Sequence, residues 1–420
     1  GGVAGIQASL DLASRGFKVY LVEKSPSIGG RMAQLDKTFP TLDCSMCILA
    51  PKMIDCSHHP NVQLLAYSEV KEVKGSTGNF VVKILKKPRF VDESKCTGCG
   101  ICAQHCPVEV PNEFDANLGM RKAIYMPFPQ AVPRAMTVDK ENCLECRLCA
   151  KVCEAKAVDL KQQPQEVELN VGAIVVAIGF DIFDSTEIPS YGYGRYKNVV
   201  TALELERLLC ASGPTGGHLI RPSDGKIPRK IAFIQCVGSR DRRFGNTYCS
   251  SICCKYSVKD AVLIKEHEPN SQVSIFYIDL RAFGRGFQEF VNRAKSEYGV
   301  RFIRSSPGEI MEDPVTKNLV IWYEDTIAGT IENLIFDLIV LCPALIPRTD
   351  AKELAKVLGI KTDEYGFFRA ADLIINPVDT TVPGIFACGY CLGPKTGDIP
   401  DSIMQGSATA ARAAEVLRGT

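Results

Sequence analysis

The chain of 420 residues carries almost no net charge: 49 Lys and Arg against 48 Asp and Glu leave +1. No overall field therefore favours nucleic acid or an anionic membrane surface as a partner. No apolar run reaches the length of a membrane span, and no stretch reads as a signal peptide. Apart from two cysteine runs there is no internal repeat. The opening "GGVAG" has no Met and starts in mid-motif, so its N-terminal fingerprint is expected to be truncated. What is left is a length that suits two or three compact domains. Hydrophobic residues make up 46% and charged residues 23%, as in ordinary globular proteins.

Cysteine is abundant, at nineteen residues. Disulfide scaffolds belong to small secreted domains that lack a core. This chain is large, shows no secretion signal and has an odd number of cysteines. Metal ligation in a reducing cytosol is the better account, and it sets a cytoplasmic expectation.

Residues 1–23 read as loop, helix and strand. Ile6, Leu10, Leu12 and Ala13 follow helical spacing up to Gly16, and "KVYLVEK" is an apolar strand closed by Glu23. Gly2-x-x-Gly5 opening a helix, with an acid ending the next strand, is most of a Rossmann fingerprint. Gly2 lets a pyrophosphate approach the backbone, and Gly5 lets helix and strand pack closely. The helix N-terminus favours phosphate, while Glu23 can bind a ribose hydroxyl. A chance tight turn gives a lone glycine motif too. Here Lys24 follows the acid, and "GGR" supplies Gly30 and Arg31, which favours FAD. "GAIVVAIG", ending at Gly179, is a further strand. "TVPGIFACG" (381–389) is similar to the T-x-x-x-x-[FY]-A-x-G-D box that disulfide-reductase-type flavoproteins carry near the flavin ribitol. Tyr390 replaces the Asp after Gly389, and Asp398, beside Ile399, is the candidate substitute.

Composition shifts to Cys, Pro and short polar turns from about Phe90 to Ala155, which reads as an inserted domain. Cys96-x2-Cys99-x2-Cys102-x3-Cys106-Pro107 and Cys143-x2-Cys146-x2-Cys149-x3-Cys153 are both the bacterial ferredoxin run. In that run the fourth cysteine ligates the other cluster. One [4Fe–4S] cluster should take Cys96, Cys99, Cys102 and Cys153, and the other Cys143, Cys146, Cys149 and Cys106. Paired C-x2-C motifs also hold structural zinc, though seldom in this eight-cysteine register. Glu154 stands where a second proline is expected.

A further set is Cys236, Cys249, Cys253 and Cys254. The strand Ile231–Ile234 should end in a glycine-rich NAD(P)H turn, yet the chain reads "QCVGS", with Cys236 in a glycine slot and a lone Gly238. Buried core thiols are the plain alternative. Four cysteines in nineteen residues at a nucleotide turn favour a cluster instead, so electrons would reach a flavin from iron–sulfur rather than from hydride.

These stretches, with "GGRMAQLDKTFPTLDCSMCILAPKM", "SYGYGRY", "GPTGGHLIRPSDGK", "YCSSICCKYS" and "GPKTGDIPDS", resemble the heterodisulfide reductase A-subunit family (HdrA) over essentially all 420 residues. The resemblance implies a thioredoxin-reductase-like α/β fold with two dinucleotide-binding domains and an inserted 2[4Fe–4S] ferredoxin domain. Residues 1–88, 156–228 and 341–420 would bind FAD, 89–155 would be the insert, and 229–340 a degenerate NAD-like domain carrying a cluster. Longer members of the family carry further terminal domains, so a short or truncated member is expected. Cys44, Cys47 and Cys56 form a third group, one thiolate short of a set. The resemblance implies a [4Fe–4S] cluster there with an outside ligand, and a structural role is the alternative. Cys210, Cys342, Cys388 and Cys391 read as packing residues. Lys259 is the candidate for charge pairing near flavin N5, against the commoner fate of a solvated lysine. The basic "SRDRR" (239–243) reads as a partner surface or a solvated turn.

By resemblance the activity is electron transfer through FAD, with bifurcation between ferredoxin and a CoM-S-S-CoB-type disulfide reduced on a partner subunit. Implied partners are B- and C-like subunits, a hydrogenase- or formate-dehydrogenase-type donor and ferredoxin, in a dimer of the complex. Two rivals stand beside it. One is a flavin relay subunit of a quinone-interacting complex, and the other is a stand-alone NAD(P)H disulfide reductase.

Overall fold

A computed structural model describes residues 1–326, 328–394 and 398–419. Lys395, Thr396 and Gly397 of the "GPKTGDIPDS" stretch lie outside the described residues. The chain divides into two compact units. One comprises Gly1–Ala33, Met46–Phe180 and the residues from Pro347 onward; the other comprises Gln34–Ser45 and Asp181–Ile346.

In the first unit the opening helix Val3–Ser14 buries Ala4, Ile6, Ala8, Leu12 and Ala13 and stops at Arg15. Gly16 follows at φ +89°, a left-handed conformation that a glycine takes without strain. The strand Val19–Val22 then pairs in parallel with Val62–Leu65. The closing helix Ile399–Gly419 lies against the opening helix through small residues. Ala8 and Leu12 share a core with Ala410, Ala413 and Ala414. A methyl group on Gly406 would fall 2.5 Å from the Ala4 carbonyl oxygen. That distance leaves room for glycine only at this crossing.

Next comes an antiparallel hairpin, Ser68–Ser76 with Asn79–Lys86. A third strand, Gln165–Val171, joins it with Lys86 opposite Gln165. The cysteine-rich stretch therefore leaves and re-enters the sheet at facing positions, an excursion over residues 87–164. Within it, Val91, Ile124, Met136 and Val138 pack with buried Cys102 and Cys149 as a separate small core.

The second unit is built on a five-stranded parallel sheet in the order Val199–Thr201, Leu338–Pro343, Lys230–Val237, Gln272–Tyr277, Arg301–Arg304. Its central strands are near-continuous apolar runs, as a parallel sheet covered on both faces requires. The helices Cys253–His267 and Phe287–Ser296 bury Val258, Ala261, Val262, Phe290 and Val291 in the core shared with Ile231, Phe233 and Val340. Residues 181–228, read from sequence as part of the FAD-binding domain, belong here instead. Their strand Val199–Thr201 is pinned to Leu338–Pro343, in a register that places Val200 opposite Val340.

Gly406→Ala is expected to lower stability by about 1–2 kcal/mol in thermal unfolding. Overpacking against a backbone oxygen outweighs the better helix propensity of alanine. An unchanged melting temperature would mean that the two helices separate freely.

Candidate redox site

The front turn is shaped by close backbone approach. A methyl on Gly30, which sits at φ +56°, would lie 2.9 Å from the Gly2 Cα, and one on Gly5 would lie 3.3 Å from the Ala177 Cβ. The Gly29 amide donates to the Gly1 carbonyl at 2.7 Å. Gly2 is the N-cap of the opening helix and offers no side-chain cap, so the first-turn amides stay available to an anion. Glu23 accepts from the Ser25 amide at 2.7 Å and stands 2.9 Å from the Gly1 nitrogen. This glycine-lined turn, closed by a strand-end acid, fits a dinucleotide pyrophosphate and ribose.

The other front candidates divide. Lys24 is half exposed and pairs with Asp350 at 2.8 Å. Arg31 lies in the short 3-10 turn Gly30–Gln34. Gly179 has φ +72° and Gly389 φ +75°, and the Gly389 amide donates to the Gln405 side chain at 2.7 Å. Tyr390, in the place of the expected Asp, is buried edge-on to Phe180 with ring centroids 5.0 Å apart. Asp398 accepts from the Asp401 amide at 2.9 Å, at the start of the closing helix that Ile399 opens.

In the cysteine-rich excursion the two runs fold alike. Gly98 and Gly100 of the first are left-handed, and so are Glu145 and Arg147 at the matching places of the second. Cys102 and Cys149 sit in one-turn helices, Ile101–Gln104 and Leu148–Val152. Burial pushes the Cys149 thiol up, and the neighbouring sulfurs of Cys143, Cys146 and Cys106 push it further. Cys106 comes from the other run, as the ferredoxin register requires. Burial, with Cys96, Cys99 and Cys149 adding to it, pushes Cys102 up to about 11. Backbone N–H groups answer this. The Glu145 amide donates to Cys143 Sγ and the Ala157 amide to Cys153 Sγ, each at 3.4 Å. Among the described residues no three His, Cys, Asp or Glu side chains are gathered tightly enough for a single metal ion. The donor set, eight thiols in two groups with N–H donors, has the chemistry of cluster ligation.

In the second unit, Cys236 has φ +61° at the end of Lys230–Val237, where the ladder shifts register between Ile234 and Val237. A side chain with a Cβ is uncommon in that conformation. The glycine slot has kept its glycine backbone while carrying a thiol. Cys253 and Cys254 open the helix Cys253–His267, and both are buried. Burial pushes Cys254 up to about 12, with Cys236 and Cys249 raising it further. Burial pushes Cys253 higher still, again with Cys236, Cys254 and Cys249 as neighbours. These four sulfurs are near enough for their charges to act on one another. Cys254 donates to the Gln235 side chain at 3.4 Å, and Gln235 in turn donates to Ser257 at 2.7 Å.

Lys259 is not a solvated lysine. It is buried, ion-paired with Glu206 and, at 2.8 Å, with Asp260, and it donates to the Lys37 carbonyl at 3.1 Å. Burial disfavours its charge, but Asp260 and Glu206 outweigh that and hold it above the usual lysine range. Burial and then the Glu206 charge push Asp260 well up. Sequence reasoning missed Glu206, because nothing in local spacing marks a partner 53 residues away, and without it the adjacent Asp260 reads as an ordinary helix-surface acid.

The third group is not gathered by its helix. Ser45–His58 carries both Cys47 and Cys56. Nine residues are two and a half turns, so they leave opposite faces about 13.5 Å apart along the axis. Cys56 is buried and donates to the Ile6 carbonyl at 3.8 Å, while Cys44 and Cys47 are exposed. Cys342, Cys388 and Cys391 are buried, but Cys210 is only half-buried, its sulfur 3.3 Å from the Ser212 hydroxyl.

Solved structures with this architecture are thioredoxin reductases. The one from Lactococcus lactis has a TM-score of 0.56 at 16% identity and covers 100% of this chain and 97% of its own. That from T. acidophilum has a TM-score of 0.55 at 14% identity, covering 99% and 95%. Residues 89–112 match the family described as 4Fe-4S binding domain. The class is therefore a thioredoxin-reductase-like fold with a 4Fe–4S ferredoxin element set into it. In sequence the chain is a homologue, over nearly its whole length, of the heterodisulfide reductase A subunits. It is 60% identical over 417 residues to the second iron–sulfur A subunit of CoB–CoM heterodisulfide reductase from Methanopyrus kandleri, covering 99% of this chain and 63% of that protein. It is 54% identical over 414 residues to the A subunit of H(2):CoB-CoM heterodisulfide,ferredoxin reductase from Methanothermobacter marburgensis, covering 99% and 62%. The chain thus spans somewhat less than two thirds of the length of these relatives.

Lys259→Met should destabilise the protein by roughly 3–5 kcal/mol in denaturant unfolding, since it strands two buried carboxyls. Adding Glu206→Gln should recover part of that loss. Equal stability of the single variant would mean that the pair is solvated.

Proposed function

We propose that the chain is the FAD- and iron–sulfur-bearing part of a heterodisulfide-reductase-type oxidoreductase complex. It would carry electrons between a donor, ferredoxin and a disulfide of the CoM-S-S-CoB type reduced on a partner subunit. The observation that carries this reading is Cys236, a thiol on a left-handed backbone where a pyridine-nucleotide turn needs glycine, with Cys249, Cys253 and Cys254 beside it. The turn that would grip NAD(P)H has no second glycine fingerprint, so the stand-alone NAD(P)H reductase is disfavoured. The complete eight-cysteine register weighs against the quinone-linked relay.

The FAD and the [4Fe–4S] clusters would supply the one- and two-electron redox chemistry when bound. In the first unit Gly2, Gly5 and Gly30 admit the dinucleotide, Glu23 binds a ribose hydroxyl, and Lys24, Arg31, Gly179, Gly389, Asp398 and Ile399 complete its surroundings. The ferredoxin residues ligate as two sets, Cys96, Cys99, Cys102 and Cys153, then Cys143, Cys146, Cys149 and Cys106. Cys236, Cys249, Cys253 and Cys254 hold a third cluster. For the remaining group, Cys44 and Cys47 are the exposed ligands, with outside help, since Cys56 faces the packed interior. Lys259 is held charged by Glu206 and Asp260, so any role beside the flavin is that of a fixed cation.

Bifurcation, B- and C-like partner subunits, a hydrogenase- or formate-dehydrogenase-type donor and a dimeric complex belong to the same proposal. Of these, only the hydrogen- or formate-linked donor draws on a relative's name, that of the A subunit of H(2)/formate:CoB-CoM heterodisulfide,ferredoxin reductase from Methanococcus maripaludis; the others rest on the family resemblance of the sequence. A cytoplasmic location belongs to the same proposal, on the sequence's cysteine usage. No described helix is long and apolar enough to cross a membrane.

Stopped-flow mixing with NADPH should leave the flavin absorbance unchanged, and rapid bleaching would overturn the assignment. Iron analysis of Cys236→Ser in the complex should show the loss of one cluster's iron, with the ferredoxin signals intact. Lys259→Ala should shift the flavin potential downward, and an unchanged potential would remove Lys259 from the site.

A further inference from the structure

The strand Gln272–Tyr277 runs parallel to Lys230–Val237, with Ile234 opposite Phe276, so both strands end on the side of Cys236. An acid just beyond the second strand of such a pair is where a dinucleotide site reads its ribose. Here that acid is Asp279, and it is turned on two arginines. Arg240 Nη1 donates to Asp279 Oδ1 at 2.7 Å. Arg281 donates through Nε to the same oxygen at 3.1 Å and through Nη2 to Oδ2 at 3.3 Å.

Both arginines also face sulfur. Burial pushes the Cys236 thiol up and the Arg240 charge works against it, while the Arg281 charge interacts with Cys249. The Asp279 carbonyl receives the Cys254 thiol at 3.6 Å. One Arg–Asp–Arg group therefore borders the cysteine set, in direct contact through the Asp279 carbonyl at Cys254. Arg240 belongs to the "SRDRR" patch, but it is turned inward. Its neighbour Arg243 pairs outward with Asp241 at 2.6 Å.

We infer that Arg240 and Arg281, held in place by Asp279, are positioning residues that set the redox potential of the centre bound by Cys236, Cys249, Cys253 and Cys254. The inference rests on those cysteines being cluster ligands. The group carries a net positive charge beside the ligand sulfurs. Reduction adds one electron to a site already rich in thiolate charge. Cations and N–H donors at the sulfurs favour the reduced form, so the arginines raise the potential. The pocket has kept the geometry of nucleotide recognition, strand-end acid included, and applies it to an inorganic ligand.

The test is an EPR-monitored redox titration of the full protein in its complex. Arg240→Gln and Arg281→Gln should each shift this centre's reduction equilibrium about tenfold towards the oxidised form, ~59 mV for one electron. The two ferredoxin centres, whose cysteines are elsewhere, serve as the unmoved control. Arg240→Lys keeps the charge without the fork and should recover part of the shift. If the centre's signal is intact and its potential is unmoved in all three variants, the inference is overturned. If Cys236→Ser removes no iron and no signal from the complex, the cluster reading itself fails.

Discussion

A thiolate is a charge, and a folded interior resists charge. That conflict shapes most of this chain. Burial pushes Cys102 up to about 11 and Cys254 up to about 12, so neither sulfur becomes a ligand unless positive charge and N–H donors meet it. Tight turns supply the donors, and tight turns in turn demand left-handed backbone. Glu145, Arg147, Cys236 and Ser251 all accept positive φ, though none is glycine. These non-glycine left-handed residues lie beside cysteines, where strain is offset by what the turn presents.

The two dinucleotide frames show what is separable in such a fold. The first keeps its glycine turn, its close helix and an acid, Glu23, at the strand end. The second keeps the strand, the turn, the helix and an acid at the strand end, Asp279, yet its turn carries Cys236 and its helix opens on Cys253 and Cys254. Backbone geometry is common to the halves while the ligand chemistry differs. Lys259 belongs to the same helix, six residues from the cysteines at its start. Its ion pairs with Glu206 and Asp260 keep a charge in the core that solvation would otherwise draw outward.

Much of this was legible in sequence, for physical reasons. Ligand spacing in the ferredoxin runs is local, so Cys96 to Cys106 and Cys143 to Cys153 announce themselves. Gly2, Gly5 and Glu23 are likewise local marks of a strand–turn–helix unit. What escaped is non-local. The placement of residues 181–228 depends on which strand Val199–Thr201 pairs with, and periodicity does not specify a partner. Lys259 stands out in sequence for a place near the flavin, but its ion-pair partner Glu206 comes from another helix, which spacing does not show. The C-x2-C-x8-C spacing of Cys44, Cys47 and Cys56 suggested one group, yet the helix through the last two sends them to opposite faces. Asp279 did leave a signal, as the acid closing "QVSIFYID" in the manner of Glu23, but only the fold shows that it faces arginines.

Lys86 and Gln165 stand opposite one another on adjacent strands, and that fact has an evolutionary side. A segment whose two ends meet at one rung of a ladder can be gained, lost or exchanged as a cassette. The host sheet needs only a short turn to close the gap, and no strand changes register. A segment held at one rung in this way leaves the register of the host sheet untouched, whatever its own length.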